Sequence, residues 1–169
     1  MSYQEMPNHE MIVVSFDDEN RANEVLDTLK KMDDTAVVDL KSGAVVVRDA
    51  AGKVTIKETS DFDAKQGAIG GALAGSVLSL LGGSLLKGAI LGAAGGAIAG
   101  KVIDLGLDDD FLQEIGANLG PNSSAVVALV DFDQVDQAMD ELDKFEGGTI
   151  LHHTLSDDVY EKLSDAVED

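Results

Sequence analysis

One pattern appears twice in this chain and restricts its fold more than any other feature. Ile12, Val14 and Phe16 lie at a period of two, and Ala22, Val25, Leu26, Leu29 and Met32 then recur at helical spacing. Far along the chain, Ala125, Val127 and Leu129 repeat the first pattern, and Val135, Ala138, Met139, Leu142 and Phe145 repeat the second. The helical offsets are identical, and each strand keeps the same register to its helix. A period of two followed by a 3.6-residue stripe is a β-strand leading into an amphipathic helix. Asp17 or Asp18, and Asp131 or Asp133, stand where helix N-caps belong.

After the first helix, residues 37–40 and 44–47 read as strand, with Gly43 as a bulge or turn. Asp49-Ala-Ala-Gly52 turns the chain into a strand over 53–58, and Gly52 suits a positive φ. Gly147-Gly148 opens a strand over 149–154, and Ser156 caps a short C-terminal helix. Residues 108–119 form another helix, closed by Gly120-Pro121. Two β-α-β units with a hairpin between them predict an α+β fold: a duplicated, ferredoxin-like sandwich with helices on one face of an antiparallel sheet. Residues 1–65 supply its first half and 105–169 its second, with an insertion over 66–104.

The insertion is dominated by glycine. Residues 67–100 hold 11 of the 18 glycines and one charge, Lys87. Gly67, Gly71 and Gly75 are four apart, and Ser79 and Gly83 continue the series; Ser84, Gly88, Gly92, Gly96 and Gly100 form a second. Four-residue spacing stacks small residues on one helix face, where another backbone can approach closely. The spacing predicts a Gly-rich helical hairpin broken at Gly82-Gly83-Ser84. Gly67, Gly71, Gly75, Gly88, Gly92, Gly96 and Gly100 are its expected oligomer interface. Each glycine costs ~1 kcal/mol relative to alanine in a helix, so packing must supply the stability. Gly95 to Lys101 reads GGAIAGK, but Val102 replaces the Ser or Thr of a phosphate loop and no strand leads into it.

Such a hairpin can cross a bilayer or bury itself against identical hairpins. Residues 66–86 are uncharged, and Lys65 and Lys101 flank the insert, as in a membrane hairpin. Against this, a helix over 67–82 would rise only about 24 Å, short of a ~30 Å hydrocarbon core. Gly and Ala make up 19 of the 34 residues, and no Trp or Tyr marks an interface. Soluble assembly is the favoured reading. The alternative is a hairpin membrane protein, with membrane lipid as a partner and a ferredoxin-like domain on the cytoplasmic face.

The 169 residues allow one domain with a substantial core. A net charge of −20, from 32 acidic and 12 basic residues, argues against nucleic acid, whose phosphates this surface would repel. The excess of 22 Asp over 10 Glu resembles halophilic proteins, whereas 10 Lys against 2 Arg does not. With no cysteine, disulfides, thiolate metal sites and a Cys nucleophile are excluded. MSYQEMPNHE has neither a basic start nor an apolar run, so no signal peptide is read and the expected location is the cytoplasm.

Candidate chemistry is sparse. His152 and His153 are adjacent on a strand and should point to opposite faces, so one metal cannot easily take both. Asp131, Asp133 and Asp136 faintly suggest a calcium loop, but its fifth position is Val135 and its sixth is no glycine. Asp108-Asp109-Asp110 opens a helix, where carboxylates oppose the dipole and a cation would bind only loosely. Ser123-Ser124 has no base in pattern with it. No catalytic residue, cofactor, metal site or small-molecule substrate is predicted.

The stretches VVSFDDENRANEVLDTLKKM, AVVVRDAAGKVTIK and LGLDDDFLQEIGANLGPNSSAVVALV, with the glycine insert, resemble the prokaryotic family called domain of unknown function 1269. The resemblance spans roughly Met11 to Leu155 and is most specific over Leu105 to Val130. It implies the membrane label that family members commonly carry, a label drawn largely from hydropathy, and no activity. A more distant similarity, to small general-stress proteins with a glycine insert, implies a stress-related role. The expectation is a non-enzymatic structural protein that self-assembles as a homo-oligomer through its glycine hairpins.

Overall fold

The structure, a computed structural model of the chain, describes residues 9–58, 69–70, 72–77, 90–91 and 105–166. The elements run β1 (His9–Phe16), α1 (Arg21–Asp34), β2 (Leu40–Arg48) and β3 (Val54–Glu58). Residues 69–70 and 72–77 are helical and are called α2. Then follow β4 (Ile90–Leu91), α3 (Asp109–Ala117), β5 (Ser123–Asp131), α4 (Val135–Leu142), β6 (Thr149–Leu155) and α5 (Asp157–Ala166).

Local chemistry sets several of these boundaries. The Asp18 carboxylate accepts from the N–H groups of Asn20 and Arg21 at 2.7 and 3.1 Å, turning the chain into α1. Asp108 caps α3 by accepting from Phe111 N–H at 2.8 Å, and Ser156 Oγ accepts from Val159 N–H at 3.3 Å in α5. In the β2–β3 turn, the Asp49 carboxylate accepts from Ala51 and Lys53 N–H, and Gly52 takes a φ of 86°. That left-handed conformation is cheap only without a Cβ. α4 differs from expectation: a 3-10 turn, Phe132–Gln134, precedes it, and no side chain caps it.

The fold is α+β, and the sheet order is β4-β3-β2-β5-β1-β6. All neighbours are antiparallel except the short parallel pair β3–β4. β1 and β2 both run antiparallel to β5, and β5 and β6 both run antiparallel to β1. Each strand–helix–strand unit therefore joins two parallel strands across a strand of the other unit. The two units are interleaved and cannot separate without breaking the sheet.

Helices cover both faces of this sheet, not one. α1 and α4 pack on Ile12, Val14, Phe16, Val45, Val47 and Val126. α2, α3 and α5 pack on Met11, Val13, Val46, Ile56, Val127 and Leu129. β1 is buried along its whole length, and β5 along all of it but Asp131. A sheet buried on both sides has apolar residues at successive positions, and residues 125–130 read AVVALV for that reason.

That run also displaced the expected register. Val126, Ala128 and Val130 face α1 and α4, whereas Ala125, Val127 and Leu129 face the opposite layer. The second strand is thus one residue out of step with the first, because an uninterrupted apolar run carries no period-two phase. β2 is likewise one strand through Gly43, with its irregularity between Leu40 and Ser42. Ile90 and Leu91, expected in the hairpin's second helix, are instead paired with Thr55 and Ile56 as strand.

Candidate functional site

α2 is a helix enclosed on nearly every side. Ile69, Gly70, Ala72, Leu73, Ala74, Ser76 and Val77 are all buried. Ile69, Ala72, Leu73, Ala74 and Val77 join the core with Leu105, Phe111 and Ile115. A Cβ at Gly70 would lie 2.5 Å from the carbonyl oxygen of Gly43 and 2.7 Å from Ser42 Oγ, so only glycine allows this contact. Gly75 is different. It is partly buried, and a Cβ there would meet nothing within 4 Å among the described residues.

Of the seven glycines expected at an interface, Gly75 is thus on α2 with no described residue crowding its Cβ position. Gly67, Gly71, Gly88, Gly92, Gly96 and Gly100 lie outside the described residues. So do Lys65, Lys87, Lys101 and the GGAIAGK stretch. Among the described residues, no helix is long and apolar enough to cross a membrane.

The polar chemistry gathers at one end of the sheet, on residues that periodicity did not single out. His9 stacks on Tyr160 with ring centroids 4.1 Å apart, and its Nδ1 lies 3.7 Å from Asp157 Oδ1. That nitrogen is buried without a hydrogen bond among the described residues. Burial pushes the His9 imidazole below its ordinary pKa, outweighing the upward pull of Asp157. Beside it, Lys41 Nζ donates to Asp39 at 2.9 Å and lies 3.7 Å from Asp131. The Asp39 hydrogen bond raises the Lys41 pKa against a smaller desolvation effect.

On the other face, Glu10 has a side chain only 4% exposed. It accepts from Thr154 Oγ1 at 2.7 Å and contacts His152 Nδ1 at short range. His153 lies with the opposite layer, against Phe111 with ring centroids 5.2 Å apart. The two histidines do point apart, as adjacent strand residues should. Ser124, read as lacking a base, is structural: it accepts from Ala22 N–H at 3.2 Å and donates to the Asp18 carbonyl. Among the described residues, no group of three or more His, Cys, Asp or Glu side chains is arranged to hold a metal ion.

What sequence reasoning missed is that β1 begins with two polar residues inside a buried strand. The only signal was their position, His9 and Glu10 directly before the apolar run from Met11. No curated protein and no solved structure matches the chain. The sequence resemblance spans Met11 to Leu155, whereas the family match leaves out β1, α1, β2 and β3 and takes in the insert and the second unit. That match covers residues 67–168, and the chain belongs to the family described as Protein of unknown function (DUF1269).

Proposed function

We propose that this is a non-enzymatic structural protein whose copies assemble in the cytoplasm by packing their glycine-lined helices together. Gly75 carries the reading. Gly70 is needed for α2 to rest on β2, but nothing in the described fold crowds Gly75. A mid-helix glycine costs ~1 kcal/mol relative to alanine, and at Gly75 the helix gives up that stability with no contact among the described residues that requires it. Its missing side chain leaves room for a neighbouring helix, and Gly67 and Gly71 extend the same four-residue series. The ferredoxin-like reading of the frame is supported by the order β2-β5-β1-β6 and by the two interleaved strand–helix–strand units.

Gly75→Leu tests the reading. Leucine is the better helix former, and a Cβ at this position meets nothing within 4 Å among the described residues, so the circular dichroism spectrum should stay as in the wild type. The assembled particle, prepared without detergent, should fall apart or shrink. An unchanged particle would remove the helix interface, and a wild-type protein recovered only in detergent would favour the membrane hairpin instead.

A further inference from the structure

β6 is an edge strand whose one partner among the described strands is β1. Its seven residues read TILHHTL. Among the described strands of five or more residues, β6 alone contains no Asp, Glu, Lys or Arg. It also lacks proline. Soluble proteins usually protect such an edge with charge, proline or a bulge. In a chain of net charge −20, most surfaces would bring carboxylates against this edge. A second copy of the same strand brings none.

Symmetry then fixes the register. Residues directly opposite in an antiparallel ladder share a hydrogen-bonding direction, and neighbours along a strand alternate. A two-fold axis between identical strands must therefore pass through a residue. Pairing the full length of Thr149–Leu155 puts that axis at its middle residue, His152. The two His152 side chains would then stand side by side on one face. His152 is 48% exposed, and its Nδ1 is held by the buried Glu10 carboxylate, which Thr154 fixes from the other side. A carboxylate accepts, so Nδ1 donates, which leaves Nε2 as the ring nitrogen that a metal ion would take. This is the carboxylate–imidazole arrangement that orients a histidine for a metal ion.

We propose that β6 pairs antiparallel with β6 of a second copy about a two-fold axis at His152, and that the two His152 Nε2 atoms bind a divalent transition-metal ion such as zinc. One copy supplies a single imidazole, so the site is incomplete without its partner. Water completes the coordination shell. The contact is separate from the glycine helices and adds a second direction of assembly.

The chain has no cysteine, so His152→Cys introduces a single thiol. Opposed Cα atoms in an antiparallel ladder lie about 4.5–5.5 Å apart, within disulfide range. In the same register two copies of position 153 are about 8 Å apart, beyond that range. Mild oxidation should give a covalent dimer from His152→Cys and none from His153→Cys. With the unaltered protein, zinc should double the mass of the sedimenting species, and chelation should reverse it. Magnesium, which suits carboxylates but not imidazole, should not, and His152→Ala should abolish the zinc response. Absence of the His152→Cys dimer, or equal dimer from both variants, would overturn the pairing. A zinc response that His152→Ala keeps, that magnesium reproduces, or that is missing from the wild type would overturn the metal site. The disulfide reads the β6 edge alone, so its failure leaves the glycine-helix reading standing.

Discussion

Gly70 of α2 rests directly on Gly43 of β2, with room for no atom beyond a hydrogen between the two backbones. This contact seats the start of the glycine-rich insert in the core of the domain. Ile69, Ala72, Leu73, Ala74 and Val77 of the insert therefore share one core with β1, β2 and β5.

Gly70 and Gly75, five residues apart on one helix, should respond oppositely to the same change. Gly70→Ala places a methyl against a backbone carbonyl that cannot rotate away, at the upper end of the ~1–3 kcal/mol typical of overpacking. Set against the ~1 kcal/mol alanine gains in a helix, the net loss should be about 2 kcal/mol. Gly75→Ala meets nothing among the described residues and should leave the single chain's stability unchanged or raise it by up to ~1 kcal/mol. Urea unfolding of the two variants checks both signs; equal losses would contradict the placement of α2.

His9 should make the protein acid-sensitive. Its folded pKa lies below the ordinary 6.5, chiefly through burial. The unfolded chain therefore takes up the proton first, and stability falls as pH drops below about 6.5. Above that value both states are neutral and the contribution is constant. His9→Phe keeps a ring on Tyr160 and removes the titration, so its urea midpoint should fall less than the wild type's between pH 7.5 and 5.5. Equal falls would assign the acid sensitivity to the carboxylates.

The succession of strands and helices was legible because α1 and α4 each bury one stripe, Val25 with Leu29 and Ala138 with Leu142. What lay on each face of the sheet was not. β5 is apolar at six successive positions, and such a run carries no phase to say which residues face α1. Gly43 looked like an interruption because a glycine reads alike whether the chain turns or a helix lies on it. Gly70 is singled out only by the fold, because it falls outside the four-residue series that runs through Gly67, Gly71 and Gly75. His9 and Glu10 escaped because polar residues at a strand end normally face water.

Salt should stabilise the protein. With 32 acidic residues against 12 basic ones, repulsion acts within and between copies. Its range is about 30 Å at 0.01 M salt and about 3 Å at 1 M. The melting temperature and the assembled fraction should both rise across that interval. A flat profile would mean that the carboxylates are already neutralised by pairing or bound ions.

The most direct test of self-assembly is the mass of the full chain in solution, by sedimentation equilibrium without detergent in molar salt. The account predicts a discrete species at a multiple of the 17.7 kDa chain, reduced by Gly75→Leu and by Gly92→Leu combined with Gly96→Leu. A single 17.7 kDa species at all concentrations, or protein that enters solution only with detergent, would contradict it.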